Sequence, residues 1–93
     1  MTEETNCIEL SEMLEKDQIM LSEEHVCEIC VTTGQHWVHL RTCQTCGHTH
    51  CCDSSPGKHA YKHFLATGHP VMASAEPGER WLWCYVHKSM AGY

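Results

Sequence analysis

The chain has 93 residues and a mass of 10.6 kDa, too short for two separately cored domains, which usually need on the order of 100 residues each. One Phe, three Trp and three Tyr make a thin core, whereas eight Cys and nine His supply the side chains that bind zinc; a metal, in place of a large apolar interior, is expected to hold the fold. The net charge of −6 removes any general attraction to phosphate backbones, and Arg41, Lys58, Lys62, Arg80 and Lys88 are too few to form a nucleic-acid patch.

Residues 1–26 read as an acidic lead-in. Nine acids precede residue 31 against the single base Lys16, a net charge of −8, while the remainder carries +2. Ile8, Leu10, Met13 and Leu14 have loose helical spacing, which leaves a short helix and a solvated arm both open. The start Met-Thr-Glu-Glu has no basic or apolar leader, and no window approaches the roughly 18 apolar residues of a spanning helix. A cytoplasmic chain without membrane insertion is therefore expected, with its cysteines on metal rather than in disulfides.

Residues 27–88 read as one zinc domain. The alternation in Trp37-Val38-His39-Leu40-Arg41-Thr42 predicts a half-buried strand. Cys46-Gly47 marks a turn, after which His48 to Cys51 returns to complete a hairpin. Ser55 as N-cap, Pro56 at the first helical position and Gly68 beyond Thr67 predict the main helix over 56–67. An extended piece follows His69-Pro70 through Met72. Glu76-Pro77-Gly78-Glu79 makes a turn, Trp81 to Val86 reads as the last strand, and 89–93 as a tail.

Two Cys-x-x-Cys pairs, Cys27/Cys30 and Cys43/Cys46, have the spacing of zinc knuckles, and Cys84-x-x-His87 repeats it. With Cys51, Cys52, His59, His63 and His69 between, and Cys7 and Glu9 upstream, donors suffice for two tetrahedra and a third. Spacing alone leaves the pairing open, and local pairing would put Cys27, Cys30, Cys43 and Cys46 on one ion. His25, His36 and His50 are expected at the surface or behind the ligands. His59 and His63 share a helix face, but Ala60-Tyr61-Lys62 has no Glu to act as the general base of a zinc protease. Neither Cys-x-x-Cys pair opens a helix after a strand, as a thioredoxin-like redox motif would. No nucleophile and base pair emerges, so a non-enzymatic role is expected.

The run Cys27-Glu28-Ile29-Cys30, Trp37-Val38-His39-Leu40, Cys43-x-x-Cys46-Gly47, Cys51-Cys52-Asp53-Ser54-Ser55-Pro56, His59-Ala60-x-x-His63-Phe64, Thr67-Gly68-His69-Pro70 and Trp83-Cys84-Tyr85 resembles the UBP-type zinc finger of ubiquitin carboxyl-terminal hydrolases. The likeness covers about residues 7–88 and is strongest to small stand-alone bacterial members. It implies an α+β domain in which a twisted antiparallel sheet packs with one main helix over interleaved zinc sites. It further implies one zinc on Cys27, Cys30, Cys51 and His59, a second on Cys43, Cys46, His63 and His69, and a third on Cys7, Glu9, Cys84 and His87, with Glu9 departing from the family's usual donor.

In eukaryotic members of that family the free C-terminal Gly-Gly of ubiquitin enters an aromatic pocket and an Arg binds its carboxylate. Trp37, Trp83 and Tyr85 match the aromatic positions, but Asp53 stands where the Arg would be. At an effective dielectric of about 20, two carboxylates in contact repel by several kcal/mol before solvent screening. Ubiquitin binding by that route is therefore not expected. Two functions remain as expectations: a protein- or peptide-binding module using Trp37, Asp53, Trp83 and Tyr85, or a zinc-held structural or regulatory domain that docks to an enzyme or transporter without a terminus-binding pocket.

Overall fold

The computed structural model describes residues 7–16, 19–21 and 25–93. Five short strands form one antiparallel sheet: β1 (Leu40–Cys43), β2 (Thr49–Cys51), β3 (Val71–Ser74), β4 (Trp81–Cys84) and β5 (Ser89–Gly92), in the spatial order β2-β1-β3-β4-β5. Among the described residues three helices accompany it: α1 (Ile8–Lys16), α2 (Glu28–Thr33) and α3 (His59–Thr67). The α+β class and the antiparallel sheet are as the sequence predicts. Of the acidic lead-in, Glu3, Glu4, Asp17, Glu23 and Glu24 lie outside the described residues.

Because side chains alternate across a strand, the register sorts the sheet into two faces. Thr42 pairs with Ala73, Ala73 with Leu82 and Leu82 with Ala91, a row of buried residues on one face. The helix left open by the sequence forms as α1 and lays Leu10 against Val71, Ala73, Leu82 and Ala91, with Met13 and Leu14 beside it. Farther along the same face, Leu40 and Cys51 pack with Cys27 and Cys30 of the α2 region, Ala75 and Trp37. On the opposite face Cys43, Met72 and Trp83 line up across the sheet, and Phe64 of α3 and Tyr85 pack against them. The core is three small clusters, each containing cysteine.

Several boundaries differ from the sequence reading, β2 starting at Thr49 rather than His48 and β3 running on to Ser74 rather than Met72 among them. The first strand begins at Leu40 rather than Trp37, because the Val38 N–H is taken by the Ser55 hydroxyl at 2.8 Å instead of a neighbouring strand. Ser55 is thereby withdrawn from the helix, and α3 starts at His59 rather than residue 56, behind Lys58 in a left-handed conformation that makes no side-chain cap. The predicted end holds: Gly68 has φ +77° and donates its N–H to Phe64 at 2.8 Å, a backbone position that suits glycine. The final strand stops at Cys84, turns through 85–88 and returns as β5, so Ser89–Gly92, expected as a tail, pairs with β4. Among the described residues no helix is long and apolar enough to cross a membrane.

Leu82 is fully buried at the centre of the α1-covered face. Leu82→Ala is expected to cost about 2–5 kcal/mol, seen as a lower urea midpoint of the zinc-saturated protein; an unchanged midpoint would mean that this cluster contributes little.

Candidate metal centres

Among the described residues, seven cysteines and four histidines, with Glu9, converge in three groups of four. Cys27, Cys30, Cys51 and His59 form the first, Cys43, Cys46, His63 and His69 the second, and Cys7, Glu9, Cys84 and His87 the third; within each group the donor atoms all lie within 4.8 Å of one another. Zn–S bonds of about 2.3 Å and Zn–N bonds of about 2.0–2.1 Å give a tetrahedron with donor–donor edges of about 3.3–3.8 Å.

The first group matches those edges. His59 Nδ1 lies 3.4 Å from Cys27 Sγ, 3.3 Å from Cys30 Sγ and 3.4 Å from Cys51 Sγ, and Cys30 and Cys51 are 3.8 Å apart. All four residues are buried. One ring nitrogen equidistant from three sulfurs is an arrangement that no set of thiol hydrogen bonds satisfies, but that a central cation does. Backbone amides complete it. The Cys30 N–H points to Cys27 Sγ at 3.4 Å and the first N–H of α3, from His59, to Cys51 Sγ at 3.2 Å. Thiolates thus do the capping that Ser55 was expected to do, because a negative sulfur at a helix N-terminus meets its unpaired donors and its dipole.

The second group sits nearer the surface. Cys43 Sγ is 3.5 Å from His69 Nδ1, Cys46 Sγ 3.4 Å from His63 Nε2, and the two ring nitrogens 3.3 Å from each other. The β1–β2 turn supplies the sulfurs, closed by the Gly47 N–H to Cys43 O at 2.8 Å, and α3 with its C-terminal loop supplies the rings. In the third group Glu9 Oε1 is 3.3 Å from Cys7 Sγ and 2.9 Å from His87 Nδ1, while Cys84 Sγ is 3.9 Å from both Glu9 Oε1 and His87 Nδ1. The turn after β4 is what lets Cys84 and His87 reach one point.

Burial, with the adjacent Cys27 and Cys51 sulfurs, pushes the Cys30 thiol up to about 12. Burial likewise raises Cys7 and Cys46 and lowers His59 and His63. The His59 and His63 imidazoles are thereby kept neutral and available, whereas Cys7, Cys30 and Cys46 hold protons that a metal must displace. Zinc affinity therefore weakens as pH falls.

His25, His36 and His50 join none of the three groups. His50 is buried with its ring 4.7 Å from that of His63, and burial, reinforced by His63, lowers it to about 4. Three supporting residues escaped the sequence reading. Glu28, inside the first knuckle, accepts from the Thr49 N–H at 2.7 Å and lies 2.8 Å from His48 Nδ1, tying α2 to β2. Gln44 accepts from the Met20 N–H and donates to Met20 O, both at 2.8 Å, holding the lead-in to the second knuckle. Gly57 leaves room for the His59 ring, since a Cβ there would lie 2.5–2.9 Å from three ring atoms. A glycine two residues before His59, a candidate ligand in the sequence, was the available signal.

Of the four residues expected to bind a ligand, the structure gathers three. The Tyr85 hydroxyl donates to Asp53 Oδ1 at 2.9 Å. Trp83 meets Tyr85 edge-on at 6.2 Å, and Phe64 stacks on Tyr85 at 5.2 Å. The Trp83 Nε1–H is buried without a hydrogen-bond partner among the described residues. Trp37 packs in the Cys27–Cys51 cluster instead. A cavity of about 430 Å³ beside the β3–β4 turn, lined in part by Glu76, Arg80 and Tyr93, involves none of the four.

Comparison with known proteins places residues 27–91 in the family described as the Zn-finger in ubiquitin-hydrolases and other proteins. A solution NMR structure of a protein from Rhodopseudomonas palustris is 42% identical to this chain, covers 97% of it and 84% of the other chain, and superposes with a TM-score of 0.80. No curated protein matches.

The interleaved grouping makes two tests. Cys30→Ala and Cys43→Ala should each lose a different zinc ion in native mass spectrometry; loss of the same ion from both would restore local pairing of the two knuckles. Gly57→Ala should weaken the first site alone by about 10–100-fold, the range for altering a group that orients a ligand, measured by competition with a chelator; unaltered affinity would show that the His59 ring moves aside freely.

Proposed function

The chain belongs to the family of UBP-type zinc fingers, and from that premise we propose that it is a zinc-held protein- or peptide-binding module without catalytic activity. Zinc is its cofactor. In this reading one ion is held by Cys27, Cys30, Cys51 and His59, a second by Cys43, Cys46, His63 and His69, and a third by Cys7, Glu9, Cys84 and His87. Each set is complete with four protein donors. Catalytic zinc usually keeps three and leaves a position for water, so these sets support a structural metal.

The observation that carries the binding reading is the contact between Tyr85 and Asp53. Asp53 is exposed, yet it accepts the hydroxyl of a buried tyrosine within the aromatic group Tyr61, Phe64, Trp83 and Tyr85. Burial, together with that hydrogen bond, raises the Tyr85 phenol well above its ordinary value, so it remains a donor at neutral pH. The face therefore offers aromatic surface beside a carboxylate, which suits a neutral or cationic peptide and disfavours a free C-terminal carboxylate. The alternative, a docking domain without a pocket, draws on Trp37, which packs into the first metal cluster.

Titration with ubiquitin and with its C-terminal peptide is expected to give no saturable binding, and Asp53→Arg to gain some. Tight binding by the natural sequence, lost when the terminal Gly-Gly is removed, would return the module to ubiquitin recognition. A partner captured by the wild type should be lost with Tyr85→Ala at unchanged zinc content; equal capture by the variant would favour docking through another surface.

A further inference from the structure

We propose that the cluster of Cys7, Glu9, Cys84 and His87 is an exchangeable zinc site that latches α1 to the sheet, so that its ion leaves before the other two and releases the helix. The proposal rests on the reading that all three clusters hold zinc, and adds a distinction among them. Soft thiolates suit zinc better than carboxylate oxygen. The first cluster has three sulfurs and a ring nitrogen and the second two of each, while the third alone includes a carboxylate. Two of its ligands are open to solvent, the His87 side chain being 45% exposed and that of Glu9 29%; the second cluster is open as well, through Cys46, His63 and His69, so exposure sets the third apart from the first alone and the carboxylate sets it apart from both. A competing chelator can meet Glu9 and His87 without the fold opening.

The placement of the ligands gives release a local consequence. The first two clusters draw all their donors from residues 27–69, which include β1, β2, β3's neighbouring loop and α3. The third joins the start of α1 to the β4–β5 turn, with Cys7 and His87 80 residues apart in sequence and 3.2 Å apart in space. Losing it leaves the other tetrahedra intact. Helix α1 has nine residues, and isolated helices below about 12–15 residues are marginal in water. Once the latch opens, the packing of Leu10, Met13 and Leu14 remains to hold it. Its departure would uncover Val71, Ala73, Leu82 and Ala91, turning metal loss into exposure of an apolar sheet face.

The test is a chelator titration of the zinc-loaded full chain, followed in parallel by native mass spectrometry and amide hydrogen exchange. Three ions at the outset, with the first departing as protection is lost over residues 7–16 while 27–69 stays protected, is the expected result. All three leaving in one step would overturn the latch while preserving the three-site reading, as would loss of the first ion with α1 still protected. Two ions at the outset would overturn both. Glu9→Cys, which supplies a third sulfur, should strengthen retention at this site at least about ten-fold, the lower end of effects from altering even a ligand's supporting partners, and should end its early departure. An unchanged order of loss in that variant would also overturn the proposal.

Discussion

Everything in this domain depends on donor atoms from distant parts of the chain meeting at common points. Cys51 and His59 must come to the first knuckle, His63 and His69 to the second; the first set joins α2, β2 and α3, the second joins β1, the turn after it and α3, and together they bring β1, β2 and α3 to one place. The apolar interior is too divided to impose this by itself. Among the largest fully buried side chains only Leu10, Met72 and Leu82 are sizeable hydrophobes, and cysteines fill much of the remaining space. Structural zinc contributes about 10–16 kcal/mol in small finger peptides, as much as or more than the roughly 5–15 kcal/mol that separates an ordinary domain from its unfolded state.

The sulfurs of the first cluster also act as pieces of secondary structure. Cys27 is the N-cap of α2 and accepts from Cys30, and Cys51 accepts the first N–H of α3. The same sulfurs that close the first tetrahedron therefore fix where two helices begin. Loss of that ion would weaken both helix ends together, which couples local structure to the site more tightly than a metal held between preformed elements.

Much of the fold was legible because its signals are local. The knuckles, the turn at Cys46-Gly47, the left-handed stop at Gly68 and the turn at Glu76–Glu79 all appear where residue type and spacing put them. The misplacements have one cause, a long-range contact displacing a local preference. Ser55 would cap a helix in isolation, but Val38 takes its oxygen and Cys51 takes the amide of His59. Ser89–Gly92 has little strand character of its own and becomes β5 because the turn that brings His87 to Cys84 sends the chain back along β4. The grouping of the donors was not legible from spacing, since Cys27/Cys30 and Cys43/Cys46 could as well have shared one ion, and it was supplied by the resemblance. Trp37 could not be separated from Trp83 and Tyr85 by sequence, because an aromatic residue looks the same whether it faces a ligand or covers a metal cluster.

The dependence of the fold on zinc is tested most directly by the amide-resonance dispersion of the protein after complete zinc removal, with mass spectrometry confirming that no ion remains. A zinc-dependent fold collapses to an undispersed spectrum and recovers when zinc is added back. A dispersed spectrum of the metal-free chain would contradict that dependence, showing that the three small apolar clusters hold the sheet without metal.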